Sequence, residues 1–467
     1  MARLTGAILA AGFVLCLALN WPGHLSYDSV IQLLEGRTGV YSGWHPPVMS
    51  WLLGLFDRLL PGAGLFVLLQ TTLLYGSLLL LLLLVRTPQP AAPWVALFVI
   101  LTPQFLTFPA IVWKDVLFAA SGVAGFALLA VAAAQWGKVR PRLGLVAGAI
   151  ICLALAALTR QNGIVLAPFA ALAFGWLAAR HSENRKFLRA AATVAATLLA
   201  MVVIVVGSEA LLELRSTGGA SPLAQLALLQ TYDLAGALAH DPKMEMDQLH
   251  DDDPALETIL RGEAARRYTP ASEEPLANLA DLQKALANTD EDTVPLAWRH
   301  FVVSHPLLYL RLRWDAFRWV FFTPDIVFCR PALSGITGLP DVMAKLHMVQ
   351  RIDARDKALS DYTMLVARTP LVRHWFWALI AILSIVLLLR RRRPEDIAVA
   401  AMLSGMLAFA ASFFFISLVC DYRYLYPLDA AALAGLFYVA IGDSIPVSRI
   451  RSLFRNSGGD RSSEFGK

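Results

Sequence analysis

Four short polar passages hold the residues of this 467-residue chain whose types and spacing could do chemistry. The first places Asp28 within Ser26-Tyr27-Asp28-Ser29 and continues to Trp44-His45-Pro46-Pro47; the others are Lys114-Asp115, Arg160-Gln161-Asn162 and Asp421-Tyr422-Arg423. A carboxylate can accept the proton of a hydroxyl nucleophile. Arginine offers a planar fork of donors and lysine a compact charge, and both suit a phosphate. Displacement at a sugar carbon with a phosphate leaving group needs those two functions and no acid, because fixed cations stabilise the departing charge. Asp28 is therefore the expected base, Asp115 a second candidate catalytic carboxylate, and Lys114, Arg160 and Arg423 the expected phosphate-binding cations. Simpler readings compete: a helix cap for Asp28 in the Ser26 to Ser29 turn, a salt bridge to Lys114 for Asp115, and a helix-end anchor for a lone interfacial arginine.

The elements that must position these residues are membrane helices. With 57% hydrophobic and 16% charged residues, and a mean hydropathy of +0.58, the chain has more apolar surface than a soluble core can bury. Continuous runs such as Leu78 to Leu84 suit helices of about 20 residues crossing roughly 30 Å of hydrocarbon, not the short alternating segments of a barrel. The expected fold is an all-α polytopic membrane protein with ten spans, centred on 4–20, 64–85, 92–108, 115–134, 143–159, 163–179, 190–210, 371–389, 397–417 and 427–442. Pro103, Pro109 and the pair Lys114-Asp115 interrupt the third and fourth. No small-residue cleavage site follows Asn20, so the first span is expected to be a retained helix.

Basic residues in short loops mark the cytoplasmic side. Arg3, Arg86, Lys138 to Arg142, Arg180 to Arg189, Arg390 to Arg393 and the tail 443–467 fall on one face. With ten spans both termini lie there, and the four polar passages lie on the outward face. Isolated charges beside lipid are costly, so four such passages at one depth point to a shared cavity and to transfer from an anionic lipid. The expected organisation is a membrane module over 1–210 with the first outer loop at 21–63, an outward segment over 211–370, a second membrane module over 371–442 and a basic cytoplasmic tail. Within the outward segment Pro222 to Ala239 reads as a helix, Asp251 to Asp253 as solvated surface, and 298–325 as an amphipathic helix at head-group level.

The net charge of +5 belongs to the cytoplasmic rim facing anionic lipid, and no nucleic-acid partner is expected. Cys16 and Cys152 fall inside spans, whereas Cys329 and Cys420 fall on the outward face, where oxidation is possible. No spaced cluster of cysteine or histidine suggests zinc. If a hard divalent cation binds, Asp28 and Asp115 are the expected oxygen donors.

Several stretches, in order along nearly the whole chain, carry a resemblance: GWHPPVMSWLLGL (Gly43 to Leu55), WKDVLFA (Trp113 to Ala119), TRQNG (Thr159 to Gly163), SHPLLYLRLR (Ser304 to Arg313) and DYRYLYPL (Asp421 to Leu428). With Asp28 they resemble the GT-C superfamily of integral membrane glycosyltransferases. Within it the chain is similar to bacterial inner-membrane enzymes of the lipid A aminoarabinose transferase and protein mannosyltransferase type, which use polyprenyl-phosphate sugars. The resemblance implies a first-loop base at Asp28, a second-loop acidic residue at Asp115, and basic residues at Lys114, Arg160 and Arg423 near the lipid phosphate. It further implies that His45 and Tyr422 line the cavity, and that the acceptor is a lipid, glycan or protein outside the cytoplasm. Many relatives carry an Asp-Glu pair where this chain has Asp28-Ser29, and ten spans are fewer than usual. Two alternatives stay open: a flippase for lipid-linked sugars, which would show repeats and midplane charges, and a glycan polymerase using the same donor class.

Overall fold

The computed structural model of the chain describes residues 1–42, 44–213 and 222–442. Gly43 and the expected basic tail 443–467 lie outside the described residues. Among those described, every regular element is a helix, and extended backbone pairs only in three isolated bridges.

Eight helices are long and apolar enough to cross a bilayer: Ala2–Asn20, Gly64–Leu83, Lys114–Ala134, Val139–Thr159, Gln161–Arg180, Lys186–Leu212, His374–Arg391 and Pro394–Ile416. The chain is thus an integral multi-pass membrane protein. The expected third span is instead a pair of helices, Ala92–Leu101 and Pro103–Ala110, bent by 74°. Proline drives the preceding residue out of the helical region, and Thr102 sits in extended backbone at ψ 145°. The expected tenth span is the 16-residue helix Tyr426–Ile441. At 1.5 Å per residue it reaches roughly 24 Å, short of the hydrocarbon thickness. The two lie side by side: the Gln89 N–H donates to the Ile441 carbonyl at 3.1 Å, and the Tyr426 hydroxyl donates to the Gln104 carbonyl at 3.0 Å.

Lys114–Ala134 is the central helix, with 94% of its apolar window buried. Small residues let its neighbours approach: a Cβ on Gly125 would stand 2.6 Å from the Leu153 side chain. Lys186–Leu212 is 11% buried by the same measure and lies at the periphery. Lys114 and Asp115 therefore open the most enclosed helix of the bundle.

The loop between the first two spans is a helical hairpin, Tyr27–Thr38 and Pro47–Leu59. Its helices cross at Gly36 and Gly54, where backbones touch. A Cβ on Gly36 would lie 2.2 Å from the Ser50 carbonyl, and one on Gly54 would lie 2.1 Å from the Gly36 carbonyl. Glu35 ties the crossing, accepting from the Ser42 N–H at 3.0 Å and from the Ser50 hydroxyl at 2.6 Å. Before the hairpin, His24 N–H donates to Ala110 O, Val112 N–H to His24 O, and Leu25 N–H to Gly335 O, each at 3.0 Å. Three distant segments, 24–25, 110–112 and 335–337, are thereby locked together immediately ahead of Ser26.

The described part of 222–370 forms small helices around a core that includes Leu234, Leu238, Leu249, Leu260 and Phe301. Pro222–His240 is helical, matching expectation. The single amphipathic helix expected over 298–325 is two, Thr293–Ser304 and Pro306–Phe322, broken at His305 by the proline that follows. Arg313 is turned into the protein and not toward lipid: it is 2% exposed and ion-paired to buried Asp233. Asp253 caps the next short helix by accepting from the Leu256 N–H at 2.9 Å. Cys329 and Cys420 form a disulfide with Cα atoms 4.8 Å apart, joining this segment to the backbone beside Asp421.

Candidate functional site

Asp28 lies in the first turn of Tyr27–Thr38, but the cap there is made by its neighbours: Ser26 N–H donates to Ser29 Oγ at 3.2 Å, and the two hydroxyls meet at 3.0 Å. The Asp28 carboxylate is left for other work. Its Oδ2 accepts from Arg423 Nη1 at 2.7 Å, and its Oδ1 lies 3.9 Å from His45 Nε2. Lys114 Nζ stands 3.4 Å from His45 Nδ1. Arg423 also meets Asp421, with Nε 2.8 Å from Oδ2. First loop, second loop and last loop are thus joined through one arginine and one imidazole.

Below this partly open group lies a closed one. Asp115 pairs with Arg160, not with the adjacent Lys114, and is fully buried. The Arg160 guanidinium lies over the rings of Phe409, Phe413 and Tyr424 at 5.5, 5.2 and 5.8 Å, and Arg423 over Trp113 and Tyr424 at 5.3 and 5.7 Å. Such cation–π contacts gain strength where water is excluded. The Tyr424 ring serves both arginines and so links the two groups. Trp113 is held in turn by its indole N–H donating to Ser26 Oγ at 3.0 Å.

Exposure separates the roles open to these residues. The side chains of Asp28 and Arg423 are 28% and 19% exposed, while that of Asp115 is 0%. Burial alone raises the Asp28 carboxyl, but Arg423, together with His45 and Lys114, outweighs it and holds the group below the usual carboxylate range. Burial, then the Lys114 charge, pushes His45 down to about 4, so it is neutral near pH 7. Asp421 is shifted the other way, raised by burial in spite of Arg423. Two carboxylates around one guanidinium are therefore driven apart, with Asp28 the more firmly ionised.

Tyr422 does not face this group. It is 1% exposed, donates to Asp429 Oδ2 at 2.5 Å and accepts from Gln104 Nε2 at 2.7 Å, with His374 Nδ1 3.0 Å from Asp429. Its hydroxyl is turned into the bundle, where an unpartnered polar group would be costly. The structure thus brings Asp28, His45, Lys114 and Arg423 together, sets Asp115 and Arg160 beneath them, and places Tyr422 in a separate buried network. Sequence reasoning missed Trp113, Tyr424, Phe409 and Phe413. The only signal for the phenylalanines was their four-residue spacing on one helix face; Trp113 and Tyr424 stand beside Lys114 and Arg423 in the chain.

Among the described residues no group of three or more His, Cys, Asp or Glu comes together in a way that could hold a metal ion. Asp28 and Asp115, the expected oxygen donors for a divalent cation, are each engaged by an arginine instead. This donor set does not fit a hard ion.

No protein-family model matches the chain, and no curated protein does. Two solved structures resemble it. One is the archaeal oligosaccharyltransferase AglB from Archaeoglobus fulgidus in complex with an inhibitory peptide and a dolichol-phosphate, at 14% identity and a TM-score of 0.40 over 97% of this chain. The other is the Archaeoglobus fulgidus oligosaccharyltransferase in the apo form, at 14% identity and a TM-score of 0.39 over 97% of this chain. The chain spans about half the length of these structures, covering 52% and 51% of them.

Proposed function

We propose that this protein is a membrane glycosyltransferase that moves a sugar, with inversion, from a polyprenyl-phosphate donor to an acceptor hydroxyl outside the cytoplasm. The observation that carries the reading is the 2.7 Å pairing of a partly exposed carboxylate, Asp28, with Arg423, beside Lys114 and His45 and contributed by separate loops at one end of the bundle. The acceptor oxygen attacks the anomeric carbon and its proton passes to Asp28. The bond from that carbon to the phosphate oxygen breaks, and its electron pair leaves with the polyprenyl phosphate. Negative charge grows on the phosphate, where Arg423 and Lys114 stabilise it electrostatically.

In the free protein Arg423 holds Asp28 as a weak base. An arriving phosphate competes for the same guanidinium, and as Arg423 turns to it the Asp28 carboxylate recovers basicity. Donor binding and base activation are thus coupled through one side chain. Asp115, wholly buried, acts on Arg160 and positions it. The membrane modules 1–210 and 371–442 hold the site, the segment 211–370 faces outward over it and receives the acceptor, and both termini lie in the cytoplasm of a bacterial inner membrane.

The test uses the full chain in proteoliposomes supplied with radiolabelled polyprenyl-phosphate sugars. Release of free polyprenyl phosphate with label on a water-soluble or lipid acceptor is expected. Labelled donor that crosses the bilayer intact, with no phosphate released, would overturn the reading in favour of a flippase.

A further inference from the structure

A cavity of about 880 Å³ opens between Gln161–Arg180, Lys186–Leu212, His374–Arg391 and Pro394–Ile416. Its lining runs from Phe169 to Trp176 on the first of these helices, from Phe187 to Leu198 on the second, through Ile385 and Leu389 on the third and from Ile397 to Ser404 on the fourth. These are the halves of the helices farthest from Arg160 and Asp421. The cavity therefore lies at the end of the bundle remote from the candidate site. Of its lining side chains only Ser404 and the Trp176 indole carry a polar atom. Small residues face the void, among them Ala191, Ala195 and Ala401.

The rim has the opposite character. Arg180 lies over the Trp176 ring at 5.1 Å, and its Nη1 donates to the Arg392 carbonyl at 3.4 Å, which sets its guanidinium at the mouth. Lys186 and Arg189 flank the lining residues Phe187 and Ala190, and Arg390 follows Leu389. The carboxylates at this rim are Glu183, Glu395 and Asp396, and Asp396 is already bound by Arg391 at 2.9 Å. Positive charge is left in excess around an apolar slot.

We infer that this slot binds an anionic glycerophospholipid, its acyl chains between the four helices and its phosphate on Arg180 and Arg390. A zwitterionic lipid would fill the slot but leave the rim unneutralised, and a soluble phosphate would meet the rim but leave the slot open. Basic pockets between membrane helices select head groups in this way, and cationic side chains at the surface add attraction for each charge. The inference concerns the opposite end of the molecule from the proposed chemistry and stands or falls separately from it.

The test is retention of lipid by the whole purified chain, read by native mass spectrometry from micelles holding equal phosphatidylglycerol and phosphatidylcholine. Phosphatidylglycerol is expected on the protein in clear excess. Arg180→Gln with Arg390→Gln should cut that preference about tenfold, and Ala191→Trp, which fills the slot, should reduce retention of both lipids. Equal retention of the two by the wild type would overturn the inference without recourse to any variant. So would unchanged preference in the arginine variant, undiminished retention in Ala191→Trp, or displacement of the lipid by glycerol phosphate alone.

Discussion

Arg423 meets Asp28 and Asp421 at once, and Arg160 is sealed with Asp115 under a lid of aromatic rings. Removing one partner of a buried pair leaves an uncompensated charge, a loss of about 3–5 kcal/mol. Arg160→Gln should therefore lower the thermal midpoint sharply, and Asp115→Asn with Arg160→Gln should lower it by less than the sum of the two single changes. Additive effects would show that the two side chains do not act as a pair. His24 and His45 supply a second expectation. His24 donates to Asn20 Oδ1 at 2.8 Å and accepts from the Gly335 N–H at 2.9 Å, so it is neutral, and burial pushes it down to about 4. Both imidazoles, ordinarily near 6.5, are lowered in the folded state. Between pH 6.5 and 4 the unfolded chain binds protons that the folded one refuses, so stability present above that window is lost as the pH falls through it. Thermal midpoints measured down that range should drop, with a shallower slope in His24→Gln; a flat profile in the wild type would contradict this. At this scale the charged residues were readable from the sequence, since four polar passages at one boundary must converge. Their partners were not, because ring faces and the choice of Arg160 over Lys114 for Asp115 depend on packing between helices far apart in the chain.

The hairpin that carries Asp28 depends on a helix crossing only glycine permits. Gly36→Ala would place a methyl 2.2 Å from the Ser50 carbonyl. Its gain in helix propensity, up to about 1 kcal/mol, cannot offset a backbone clash. The variant should fold less stably and, by shifting the hairpin, lose activity. A variant as stable and active as wild type would mean that the crossing does not set Asp28. Long apolar spans were readable element by element, and so were their approximate ends. The bend at Thr102-Pro103 and the break at His305-Pro306 were written in prolines that interrupt otherwise apolar or amphipathic runs, and hydropathy averages over such breaks. The burial of Arg313 against Asp233 was unreadable, because a helix with interleaved arginines looks the same whether it faces head groups or another helix.

The molecule keeps the charges of the candidate site at one end of the bundle and its excess of basic residues at the other, while a disulfide fastens the 222–370 region beside Asp421. The proposed orientation follows from that asymmetry. A membrane-impermeant maleimide should label Asp251→Cys in intact cells and Arg142→Cys only after permeabilisation; the reverse pattern would invert the topology. In the proposed reaction Asp28 takes the acceptor's proton while Arg423 and Lys114 receive the phosphate. The most direct test compares release of polyprenyl phosphate from labelled donor by wild type and Asp28→Asn, both purified and matched in thermal midpoint. A loss of at least about a hundredfold, ~2.7 kcal/mol of barrier, is predicted. Equal turnover by the two proteins would contradict it.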